Sequence, residues 1–84
     1  MNTPEPAYTP INCDYYDRLE AWATMRTVCL LKFYDEEGKE HEVSAVIKDL
    51  YVLNKAEYLL ADNGLVIRLD RLIAVNNIPV PQSC

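Results

Sequence analysis

Three carboxylates, Asp14, Asp17 and Glu20, recur every third residue near the start of the chain. On a helix that advances about 100° per residue they fall together on one side. The chemistry open to such a row is electrostatic. Each carboxylate can pair with a lysine or arginine, and three in line can stand in for the phosphates of one nucleic-acid strand. Tyr8, Tyr15 and Tyr16 flank the row, where bases would stack. The plainer alternative is a solvated helix face, and periodicity alone does not separate the two.

Other groups that could do chemistry are sparse. His41 is the sole histidine and lies between Glu40 and Glu42, where a solvent-exposed strand position explains it better than a general base. No nucleophile, base and orienting residue come together in the sequence, so no enzymatic activity is expected. Gly38 and Gly64 are the two glycines, too few and too far apart for a phosphate-binding loop. Cys13, Cys29 and Cys84 are odd in number and widely spaced, which fits reduced thiols in a cytosolic protein better than a disulfide framework. With one histidine, a zinc site of Cys and His ligands is hard to assemble, and no cofactor or metal is expected. Cys13 lies near a helix start, which favours a thiolate, but it reads more simply as a buried or half-buried apolar residue.

The whole chain is acidic. It has 84 residues, with 13 Asp and Glu against 8 Lys and Arg, for a formal net charge of −5. That length gives one domain, which buries roughly 60–65% of its unfolded surface and leaves little room for a deep cavity. A protein that grips phosphates needs a basic stripe, and this chain has the opposite sign. Its field attracts a basic partner, such as a surface built to hold nucleic acid. No apolar run approaches the length of a membrane span, and the polar first ten residues carry Pro4, Pro6 and Pro10 rather than a secretory leader. The expectation is a soluble, cytoplasmic protein with no membrane partner.

The elements that must position these residues follow from local signals. Residues 1–11 should be extended and mobile until Ile11 meets the core, and residues 79–84 should form a tail, leaving a domain over 12–78. Asn12 is a preferred N-cap, and the helix should run from there to about Met25. Tyr15, Leu19, Trp22 and Arg26 line its inner side, with Tyr16 and Ala23 at the edge, so Leu19 and Trp22 should be largely buried. Residues 27–34 read as a long strand, 35–39 as a turn, and 41 to about 47 as a second strand. Residues 49–55 read as an irregular joint, and 57–61 as a third strand. Asn63-Gly64 signals a type I′ hairpin into a fourth strand at 65–69. A fifth covers 71–75, after which Asn76, Asn77, Pro79 and Pro81 should prevent another. The fold class is therefore α+β and mostly β: an N-terminal helix on a small five-stranded antiparallel barrel. The order of elements is that of the Sm-like barrel, with an OB-like barrel as the nearest competitor.

The segment Tyr8-Thr9-Pro10-Ile11-Asn12-Cys13-Asp14-Tyr15-Tyr16-Asp17-Arg18-Leu19-Glu20 resembles the opening of the Rof (YaeO) family, bacterial inhibitors of the transcription termination factor Rho. Tyr8, the run Pro10-Ile11-Asn12-Cys13-Asp14, then Tyr16-Asp17 and Leu19-Glu20 carry the resemblance. Weaker echoes follow at Asp49-Leu50, Glu57-Tyr58-Leu59 and Arg68-Leu69-Asp70. The departures are modest: the central strands differ widely in residue choice, and the Asn63-Gly64 turn looks tighter than in that family, which leaves any partner contact from this turn outside what the resemblance implies. The resemblance implies an Sm-like fold, a monomer in the absence of Rho, and antitermination by binding the RNA-binding N-terminal domain of Rho so that RNA cannot load. With the helix face, it points to Asp14, Asp17 and Glu20 as the contact surface, with Asn12 and Tyr16 beside them. A direct RNA-binding Sm-like protein is the rival reading, disfavoured by the acidity and by the scatter of Lys48, Lys55, Arg68 and Arg71.

Overall fold

Asn12 sets where the helix starts. In the structure, a computed structural model that describes residues 11–81, the Asn12 side-chain oxygen accepts a hydrogen bond from the Tyr15 backbone N–H at 3.1 Å. That satisfies one of the donors a helix start leaves open. Helix α1 spans Cys13–Thr24 and ends at Met25, after which Arg26 takes the left-handed conformation (φ 53°) and turns the chain into the sheet. The expectations for residues 1–10 and 82–84 lie outside the described residues.

The sheet is antiparallel and has six strands rather than five: β1 (Val28–Tyr34), β2 (Glu40–Leu53), β3 (Ala56–Ala61), β4 (Val66–Arg68), β5 (Leu72–Val75) and β6 (Ile78–Pro79). A single 3-10 turn at Leu69–Arg71 joins β4 to β5. The spatial order is β4-β3-β2-β1-β5-β6, and β4 does not pair with β6, so the sheet is curled but not closed into a barrel.

The sixth strand exists because Asn76 and Asn77 both adopt positive φ (53° and 65°). Asn tolerates that region, and a two-residue turn of this hand folds Ile78–Pro79 back onto β5. Pro79 does not block this pairing because it occupies the sheet edge, where a missing N–H costs nothing. Asn76 also extends the ladder of β1: its side-chain oxygen accepts from Leu30 N–H and its own N–H donates to Leu30 carbonyl, both at 2.9 Å.

The joint expected at 49–55 is instead the second half of a 14-residue strand. Ile47 faces Ala61 and Asp49 faces Leu60, so Lys48 has no cross-strand partner. This bulge breaks the alternation in the sequence while bending the strand rather than ending it. The β2–β3 connection is then a two-residue turn at Asn54 and Lys55, both at positive φ (52° and 66°).

The Asn63-Gly64 turn also differs from the type I′ expectation. Gly64 has φ 91°, but Asn63 does not join it at positive φ. Gly64 N–H donates to Ala61 carbonyl at 3.0 Å and Ala61 N–H donates to Leu65 carbonyl at 2.8 Å. That is a three-residue loop: a type I turn followed by a left-handed glycine. The β1–β2 connection repeats it, with Gly38 N–H to Asp35 carbonyl at 3.0 Å, Asp35 N–H to Lys39 carbonyl at 2.8 Å, and Gly38 at φ 84°.

The core lies between α1 and the concave face of the sheet. Tyr15 and Leu19 come from the helix, Cys29, Leu31 and Phe33 from β1, and Ala45 and Ile47 from β2. Leu59, Ile67, Leu69, Leu72 and Val75 complete it. Leu19 is fully buried, as its place on the helix stripe requires, but Trp22 is only half-buried. Its ring sits edge-on to Tyr15 (centroids 6.5 Å, 81°) and packs against the margin of the core, in the last turn of the helix.

The Tyr15 hydroxyl ties the helix to the last hairpin. It donates to Ile78 carbonyl at 2.6 Å and accepts from Val75 N–H at 3.0 Å. Burial is the main reason its pKa is raised. Tyr15→Phe leaves the shape but strands a buried donor and acceptor. The expected cost is about 1–3 kcal/mol in urea unfolding, against near zero if solvent can reach the two groups.

Candidate functional site

The three carboxylates singled out by spacing are all exposed, while Tyr15 and Leu19 on the other side of α1 are buried. Packing on the sheet therefore fixes which side of the helix the acids occupy. Arg18 is the one basic residue of α1 and shares that solvent side. Asn12 is half-buried at the head of the row, with its side-chain oxygen engaged in the cap, so its first role is to position the acids.

Tyr16 stands at the margin between the helix and β2. It is half-buried, and its hydroxyl pKa is raised first by that burial and then by the carboxylates of Glu57, Glu20 and Asp49. The structure thus brings two acids from the sheet, Asp49 of β2 and Glu57 of β3, to the residue beside the helix row. A shallow depression of about 270 Å³ continues the same surface between Glu20, Thr24, Lys48 and Asp49. The surface is wider than α1 and includes two residues that helix periodicity could not reach. Their signal in the sequence was the pair of weaker echoes at Asp49-Leu50 and Glu57-Tyr58-Leu59.

Cys13 differs from expectation. It lies two residues before Tyr15, about 200° round the helix from the buried stripe, and so is exposed rather than half-buried. It is also disulfide-bonded rather than a reduced thiol. Cys29 is a free, buried thiol whose pKa is pushed up by that burial.

His41 is exposed, as expected, although it shares the core-facing side of β2 with Val43 and Ala45, and it is held. Its Nε2 lies 2.6 Å from Asp35 Oδ2, and its ring stacks on Phe33, its cross-strand partner, with centroids 5.7 Å apart and planes 25° from parallel. Asp35 Oδ1 accepts the backbone N–H groups of Glu37 and Lys39 at 2.8 and 2.9 Å. The His41 hydrogen bond, followed by the Lys39 amide, lowers the Asp35 pKa below its usual value. A carboxylate with a depressed folded pKa contributes stability that is present above its unfolded value and lost as pH falls through the folded one. Acid titration should therefore loosen the 35–39 turn only below the usual aspartate range, read as late shifts of the Glu37 and Lys39 amides in NMR. In Asp35→Asn this late step should be missing. Its persistence there would assign the transition to another carboxylate.

Among the described residues, no His, Cys, Asp or Glu group of three or more is arranged to hold a metal ion, and no helix is long and apolar enough to cross a membrane. Comparison of the chain with models of known families, with characterised proteins and with solved structures finds no match.

Proposed function

We propose that this protein inhibits Rho-dependent transcription termination by binding the basic RNA-binding surface of the Rho N-terminal domain and blocking RNA loading. The observation that carries the reading is that Asp14, Asp17 and Glu20 all face solvent from one side of a helix whose other side is buried. These acids also belong to the segment that resembles the Rof family. Each carboxylate meets a lysine or arginine that otherwise holds RNA, and the overall charge of −5 steers the two surfaces together. Tyr16, flanked by Glu20, Asp49 and Glu57, lies beside them at the centre of the contact.

The rival reading, an Sm-like protein that binds RNA itself, has one observation in its favour. Tyr51 and Tyr58 stack across β2 and β3 with centroids 5.4 Å apart and planes 17° from parallel, and paired aromatics on a sheet can serve bases. The acidity of the chain weighs against it. Ring assembly, common among RNA-binding Sm-like proteins, is also disfavoured. Among the described residues the sheet edges are β4, with three residues, and β6, with two residues including Pro79. Light scattering should return a monomer, whereas a hexamer or heptamer would favour the RNA-binding reading. Filter binding with labelled RNA, with and without Rho, tests the function directly. The proposal requires no retention of RNA by this protein alone and a pull-down of Rho by it. RNA retention without Rho would support the rival.

A further inference from the structure

The two three-residue loops end side by side, and between them lies an open groove of about 570 Å³. Phe33 and Val43 of the β1–β2 hairpin and Leu65 of the β3–β4 hairpin supply its apolar surface, while Asp35, His41, Asn63 and Gly64 form its polar margin. No residue of α1 lines it, so the groove is independent of the helix face and of the function proposed for that face.

The chemistry of the margin restricts the occupant. Residues 35–42 include Asp35, Glu36, Glu37, Glu40 and Glu42 against Lys39 and His41, and Lys32 is drawn to Glu40 at 3.7 Å. Such a field repels phosphates and favours a cation. The groove adds two requirements that a simple counterion does not meet. Its apolar floor calls for a hydrocarbon stem, and the His41 ring, held nearly parallel to Phe33 by Asp35, presents a flat face. Arginine combines an apolar stem, a planar head that stacks on rings, and a fork of donors that matches a carboxylate. Lysine offers the charge and the stem without the plane. Asp35 Oδ1 already accepts two amides, so the guanidinium reaches Asp35 through a single donor to Oδ2, the oxygen that also contacts His41.

We propose that the groove between the two hairpin tips seats an arginine side chain of a basic protein partner, its methylenes on Val43 and Leu65 and its guanidinium on His41 and Asp35. The test uses the full chain, labelled with nitrogen-15, titrated with N-acetyl-arginine methylamide and, in parallel, with N-acetyl-lysine methylamide, free L-arginine and uridine monophosphate. Saturable shifts at Phe33, Asp35, His41, Val43 and residues 63–65 are expected with the blocked arginine, and binding at least about fivefold weaker with the lysine analogue. His41→Ala, at an exposed position, should weaken the arginine response about fivefold or more while the remaining peaks stay in place. Asp35→Asn should do the same, and the His41→Ala result decides if that turn rearranges. Glu36→Gln with Glu37→Gln should change it less than about threefold, through the field alone. Equal responses to lysine and arginine, shifts spread equally over Asp14, Asp17 and Glu20, or insensitivity to His41→Ala would overturn the proposal. So would tighter binding of free arginine or of the nucleotide at the same peaks, since either would make the ligand a small molecule.

Discussion

Charge reversal at two positions of the helix face, Asp14→Lys with Asp17→Lys, should lower affinity for Rho by on the order of 100-fold, about 3 kcal/mol. Both side chains are exposed and neither takes part in the core, so circular dichroism and the unfolding midpoint should remain near those of the parent chain. The size of the effect depends on how far each pair is shielded from water. Removing one partner of a desolvated, hydrogen-bonded charge pair costs about 2–5 kcal/mol, and a rim pair much less. Glu36→Lys with Glu37→Lys, on the β1–β2 loop, is the matched control: the same change in net charge, placed away from α1. It should weaken binding by less than about fivefold and mainly at low salt. A helix variant that binds Rho normally, with a loop variant that does not, would move the contact to the acidic turn.

Leu19→Ala should be the most damaging single truncation, costing about 2–5 kcal/mol. Leu19 is fully buried and comes from α1, which lies against β2. Little backbone on either side can close over the void, since Tyr15 one turn earlier is pinned by its hydrogen bonds to Val75 and Ile78. For a domain of this size that is a large part of the total stability. Trp22→Ala, at the half-exposed margin, should cost less despite the larger side chain removed. If urea unfolding ranks Trp22 above Leu19, the helix is seated differently from the arrangement described. Because Leu19 orients the face that carries Asp14, Asp17 and Glu20, its loss should also weaken Rho binding in proportion to the unfolded fraction.

The helix was legible because its signals are local. Asn12 caps it, Tyr15 and Leu19 mark its buried side, and the acids mark the other. Turn types were less legible, since a dipeptide does not determine loop length. Asn63-Gly64 has the composition of a two-residue turn, yet the pairing of Ala61 with Leu65 makes it part of a three-residue loop. The two-residue turns fall at Asn54-Lys55 and Asn76-Asn77, where strand register pushes even a lysine to positive φ. The bulge at Lys48 hid the second half of β2 by interrupting its alternation. Among the site residues, periodicity grouped those on α1 but could not connect them to Asp49 and Glu57, which tertiary packing alone brings to Tyr16. The His41–Asp35 contact was within reach, because the hairpin register places His41 opposite Phe33, two residues from Asp35.

Competition with RNA for one surface of Rho is read from displacement of the RNA. A labelled single-stranded RNA bound to Rho, followed by fluorescence anisotropy, is titrated with this protein at several RNA concentrations. Full displacement is expected, with a midpoint that rises in proportion to RNA, and no change in anisotropy when Rho is left out. A plateau at partial displacement, a midpoint independent of RNA, or an anisotropy rise without Rho would contradict it.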